Sequence, residues 1–155
     1  MMGSMELKAA LAGQYRAGLK MLRECITICP DDLWSSGEHP RAFWRIAYHA
    51  TFYTHLYLMT DLDAFIPWEK HEAHGRILWE DDEEGLPPEV HPYTQAELIE
   101  YVDMVSVHVE HWLEMIDLES DKSGFYWYSI PKLDHVLLNL RHLAIHVGQL
   151  EELLH

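Results

Sequence analysis

Two histidines near the C-terminal end of the chain, in Asn139-Leu-Arg-His-Leu-Ala-Ile-His-Val-Gly-Gln-Leu150, stand four residues apart in an otherwise apolar run. On a helix, residues spaced this way share one side, with Cβ atoms roughly 5–6 Å apart. The imidazoles of His142 and His146 can therefore converge on one small cation. Neutral imidazole is the commonest metal ligand, and a third histidine from elsewhere would complete a set that leaves one position open for water or substrate. The spacing also has a plainer reading, because a chain with twelve histidines meets His-x-x-x-His by chance. Such pairs are then exposed or hydrogen-bonded helix residues.

The candidate for a third ligand is His49. It sits in the middle of a stripe of Ala42, Ile46, Phe52, Tyr53, Leu56 and Met59, spaced by threes and fours as one face of a helix requires. A titratable ring among apolar neighbours needs a partner, since an unpaired buried polar group costs on the order of 1–3 kcal/mol. The partner is either a shared cation or, more plainly, a carbonyl or carboxylate that satisfies a core histidine.

Four long segments carry helical periodicity, and no segment of similar length alternates with period two. The first runs from Ser4, a plausible N-cap, to Cys29, where Pro30 follows. The second starts near Pro40 or Arg41 and reaches about Asp61. The third opens on Thr94-Gln-Ala-Glu97, which has the form of a capping box. Its stripe is Leu98, Tyr101, Val102, Val105, Val109, Trp112 and Ile116, with His108 at the edge as a fourth ligand, a supporting partner or a bonded core-edge histidine. Pro131 can open the fourth helix at its first position. There Leu133, Val136, Leu137, Leu140, Ala144, Val147 and Leu154 form the expected apolar seam. His142 and His146 lie off its centre, and projection leaves open which way they face.

The expected fold is therefore all-α, a four-helix bundle with a long connection between its second and third helices, forming one domain over residues 1–155. Bundles commonly build metal sites from facing helices, and such packing would bring His49 within reach of His142 and His146. The connection, residues 63 to 93, contains Trp68, Ile77, Leu78 and Trp79, which are expected to fold back on the helices. It also holds the acidic run Glu80-Asp-Asp-Glu-Glu84. That run reads as a solvated face, because it lacks the alternating ligands and central glycine of a calcium loop. His71 and His74, in the same loop, read as decoys.

Composition narrows the function classes. Eleven Lys and Arg against 26 Asp and Glu give a net charge of -15, so the surface field repels phosphate backbones and anionic lipids. Nucleic acid and membrane are not expected partners. No apolar run approaches the roughly 20 residues that span a bilayer, and the Met-Met-Gly-Ser start lacks the features of a signal peptide; a cytoplasmic location is expected. Cys25 and Cys29, one turn apart on the first helix, are a poor disulfide geometry and read as small buried thiols.

Trp44-Arg-Ile-Ala-Tyr-His-Ala-Thr-Phe-Tyr53, followed nearly a hundred residues later by Leu140-Arg-His-Leu-Ala-Ile-His-Val-Gly-Gln-Leu150, resembles the DinB-like family of bacterial four-helix proteins. The resemblance spans essentially the whole chain, including Pro92-Tyr-Thr-Gln-Ala-Glu97, and its most specific piece is His-x-x-x-His-x-Gly-Gln. It implies a divalent metal ion, nickel or zinc, held by His49, His142 and His146, and a homodimer formed through the bundle. It also implies kinship with metal-dependent thiol transferases and thiol-dependent isomerases, although most members have no assigned activity.

A cation on three neutral imidazoles acts as a Lewis acid, so that a bound hydroxide or thiolate exists near neutral pH. The expected function is thus a transferase or hydrolase acting on a small electrophilic substrate, with a low-molecular-weight thiol as a possible co-substrate. The alternative is a non-catalytic or stress-associated bundle whose metal is structural. Gln149, Glu110, Asn139 and Tyr53 are candidates to orient the rings, and Trp44 and Tyr48 candidates to wall a pocket.

Overall fold

The computed structural model describes residues 3–38, 40–78 and 90–155. The described residues are helical with no strand: α1 (Ser4–Ile28), a one-turn α2 (Asp31–Trp34), α3 (Phe43–Tyr57), α4 (Gln95–Met115) and α5 (Lys132–Leu154), with 3-10 turns at Leu62–Ala64 and Ala73–Arg76. None of these helices is long and apolar enough to cross a membrane. Expected and observed bounds differ at the ends. Gly3 rather than Ser4 is the N-cap of α1, and Pro131 caps α5 from outside instead of forming its first turn. The capping box of α4 is present, with the Thr94 hydroxyl accepting from the Glu97 amide and the Glu97 carboxylate accepting from the Thr94 amide.

The long helices form a ring in which α1 packs on α4 and α5, and α3 packs on α5 and α4. Helices consecutive in the chain, α1 with α3 and α4 with α5, thus stand diagonally, as the long connection between α3 and α4 permits. Every residue of α3 except Tyr53 is buried. The sequence stripe understates this helix, because its remaining faces are covered by the connection. Trp68, Ile77 and Leu78 of that segment are buried as expected, while Trp79 and the acidic run 80–84 lie outside the described residues. The Cys25 and Cys29 thiols are free and buried, and burial pushes each up to about 11.

The face that α5 turns toward α3 is not the apolar seam expected from its sequence. Leu137 and Ala144 are exposed, whereas Lys132, His135 and Asn139 are buried. With His142 and His146 these residues recur at intervals of three and four, the spacing of a helix–helix seam. The Lys132 ammonium donates to the carbonyls of Met59 (2.8 Å), Thr60 (3.0 Å) and Ser123 (2.6 Å). It ties the end of α3 to the start of α5. Gly124 completes this junction at φ 89°, where a Cβ would stand 2.3 Å from the Thr60 carbonyl oxygen. Asn139 donates to the Thr54 carbonyl at 3.3 Å, two turns further along.

His135 is the odd member of the seam. It is 0% exposed, its ring packs among Tyr57, Phe125 and Tyr128, and neither nitrogen has a hydrogen-bond partner among the described residues. Burial, and then the nearby Lys132 charge, pushes it down to about 4. An unfolded histidine titrates near 6.5. As the pH falls through that interval the unfolded chain takes up a proton that the folded one refuses, so stability falls with it. Replacing an unpaired buried polar group by an apolar one of similar size is neutral or stabilising. His135→Leu should therefore raise stability by about 1 kcal/mol at pH 7 and by more at pH 5, as measured by urea denaturation. A gain that shrinks on acidification would contradict this account.

Candidate metal centre

His49 stands in the second turn of α3, and His142 and His146 in the middle of α5. The antiparallel packing of these helices, registered by Lys132 and Asn139, brings the three rings together. Their centroids are 4.9 Å (His49 to His142), 4.6 Å (His49 to His146) and 4.5 Å (His142 to His146) apart. His142 Nε2 lies 3.0 Å from His49 Nε2 and 3.1 Å from His146 Nε2. The three residues each offer a ligand atom within 4.8 Å of the others and could hold a metal ion.

The partners on the other ring nitrogens decide the tautomers. His49 Nδ1 faces the Arg76 carbonyl at 2.6 Å, and a carbonyl can only accept, so Nδ1 carries the proton and Nε2 keeps its lone pair. His146 Nδ1 likewise donates to Gln149 Oε1 at 3.0 Å. His142 Nε2 can share at most one proton between these two lone pairs. At least two unprotonated nitrogens therefore point at one spot, an arrangement that calls for an electrophile. Metal–imidazole bonds of about 2.0–2.1 Å place neighbouring ligand nitrogens about 2.9–3.4 Å apart, a range that contains both observed separations.

Electrostatics favours a cation over protons here. Burial, followed by the His146 ring, pushes His49 down to about 3. Burial also pushes His142 down to about 4 and lowers His146. All three rings are neutral at pH 7 and need lose no proton to bind a metal.

His108 does not join this cluster. It is exposed on α4, bonded through Nδ1 to the Met104 carbonyl and stacked on Trp112. Among the described residues no fourth His, Cys, Asp or Glu completes the group. Neither His71, whose ring nitrogen meets the Tyr48 hydroxyl, nor His74 takes part. Of the expected orienting residues only Gln149 acts as one. Glu110 pairs with Arg16 on the surface, Asn139 belongs to the helix junction, and Tyr53 gives ring contacts to His49 and His142. The pocket walls also differ from expectation. Trp44 packs on Tyr93, and Tyr48 packs on Tyr93 and Tyr101, so Tyr53 is the aromatic ring at the site. The Arg76 carbonyl was not foreseeable, because it is backbone in an irregular segment and carries no side-chain signature.

Comparison of the chain with protein-family models, with curated proteins and with solved structures gives no match.

Acceptors that orient ligand histidines typically contribute 10–100-fold to metal affinity. Gln149→Leu should accordingly weaken zinc binding about 10-fold in competition with a chromophoric chelator. Unchanged affinity would show that the Gln149 contact does not prepare His146.

Proposed function

We propose that this chain is a DinB-like four-helix bundle that binds a divalent ion, nickel or zinc, through His49, His142 and His146. In this reading it is a metal-dependent transferase or hydrolase acting on a small electrophile, with a low-molecular-weight thiol as co-substrate. The observation that carries it is the convergence of three imidazole Nε2 atoms with no fourth protein donor among the described residues. A structural site is closed by a fourth ligand, whereas a catalytic one keeps a position open. The ion would supply a Lewis acid that lowers the pKa of a water or thiol. The chain's own residues present neutral rings, hold two of them by their Nδ1 protons, and place Tyr53 beside them. Free, buried cysteines agree with a reducing cytoplasmic setting. Leu137, Ile145 and Leu153, exposed on α5, support pairing with a second copy of the chain.

A second reading rests on the same geometry. An ion bound to α3 and α5 at once would join the two helices and act as a structural staple without catalysis.

Elemental analysis of untagged protein beside a His146→Ala variant separates these possibilities. Cation selectivity among nitrogen ligands is weak, so the protein must be prepared without a nickel column. Wild type should carry about one divalent ion per chain and the variant far less, and only loaded wild type should accelerate displacement of chloride from chlorodinitrobenzene by a thiol. Equal metal content in both proteins would remove the site. Full loading with no turnover of thiol or ester substrates, together with unfolding on chelation, would leave the structural reading.

A further inference from the structure

Arg76 ends the 3-10 turn Ala73–Arg76, and its backbone carbonyl is the acceptor that orients His49. Its side chain shares the same corner of the molecule. The guanidinium carbon stands 5.8 Å from the centre of the Phe52 ring, and the group donates to the Ala73 carbonyl. The side chain is also a hydrogen-bond partner of Tyr53, whose hydroxyl pKa is raised by burial and lowered in part by Arg76. The Tyr53 ring in turn lies 4.8 Å from that of His49 and 5.9 Å from that of His142. Arg76, Tyr53 and the histidines are therefore neighbours.

Among the described residues no carboxylate forms an ion pair with Arg76. The ion pairs there join Arg16 to Glu110, Arg23 to Asp103 and Lys70 to Glu100. A guanidinium beside a site for a divalent cation works against that cation by simple repulsion. An anionic group lying between the two removes the conflict and is attracted by both. The planar fork of donors on arginine suits a carboxylate, and a single arginine balances a monoanion.

We infer that Arg76 is the receptor for a carboxylate on the small molecule handled at the histidine site, so that the electrophilic substrate is an organic acid with its apolar part against Phe52 and Tyr53. The inference rests on the proposed metal-site function for its location, but the anion subsite can be tested without any metal. Linkage requires that a carboxylate and a cation held side by side strengthen each other by the same factor.

Calorimetric titration of the metal-free protein with benzoate, and of the same protein with zinc in the presence and absence of benzoate, provides the test. Metal-free wild type should bind benzoate, Arg76→Gln at least 10-fold more weakly, and His146→Ala as wild type does. Without benzoate, Arg76→Gln should bind zinc several-fold more tightly than wild type, because a repelling charge is gone, and benzoate should no longer tighten zinc. Arg76→Lys, which keeps the charge and loses the fork, should retain wild-type zinc affinity and weaken benzoate. Equal benzoate binding by wild type and Arg76→Gln would overturn the inference, and so would inorganic phosphate binding as tightly as benzoate. Failure of wild type to bind zinc while benzoate binding still depends on Arg76 would instead sink the metal reading and leave the anion subsite standing.

Discussion

The register of α5 against α3 is the constraint on which the candidate centre depends, and it is set by buried polar groups. Apolar side chains alone tolerate sliding, since one methylene contact resembles the next. An ammonium that must meet three carbonyls does not slide. Lys132 at the start of α5 holds Met59, Thr60 and Ser123, and Asn139 meets Thr54 two turns later. The next two positions of the same seam are His142 and His146, which arrive opposite His49. A polar residue inside a helical seam is a known way to specify register at some cost in stability, and α5 uses five of them in a row.

Burial shapes the chemistry as much as the fold. The surface carries a net charge of -15, yet the imidazoles face a helix whose residues are almost all buried. Desolvation pushes His49 down to about 3 and His142 to about 4 and lowers His146, so the cation they could hold competes little with protons at neutral pH. The Arg76 carbonyl and the Gln149 amide oxygen then decide which nitrogen of each ring stays bare. Arg76 thus contributes twice in one neighbourhood, through a backbone carbonyl that fixes the His49 tautomer and a side chain that meets Tyr53 beside it.

Much of this was legible in the amino-acid order. The four long helices, the Thr94 capping box and the free buried cysteines follow from spacing and residue type, whereas the grouping of His49 with His142 and His146 is raised by bundle packing and specified by the family resemblance. The seam of α5 followed in part: Val136 and Val147 are buried and Leu133, Leu140 and Leu154 pack against the core, but the face toward α3 is polar. Lys132, His135 and Asn139 are buried there while Leu137 and Ala144 are exposed. The three-four recurrence of the polar residues was present in the sequence, but only the carbonyls at the end of α3 explain why a lysine is tolerated inside. The burial of α3 was likewise underestimated, since the segment that covers it has no periodicity. The Arg76 carbonyl could not be read at all, because a main-chain acceptor has the same chemistry at every residue.

Anomalous diffraction from crystals of the untagged protein grown with zinc would test the central claim most directly. The expected map has one strong peak lying about 2.0–2.3 Å from the Nε2 atoms of His49, His142 and His146, with His49 Nδ1 still on the Arg76 carbonyl. Zinc found only among surface carboxylates, or a His49 ring turned away from α5, would contradict the account.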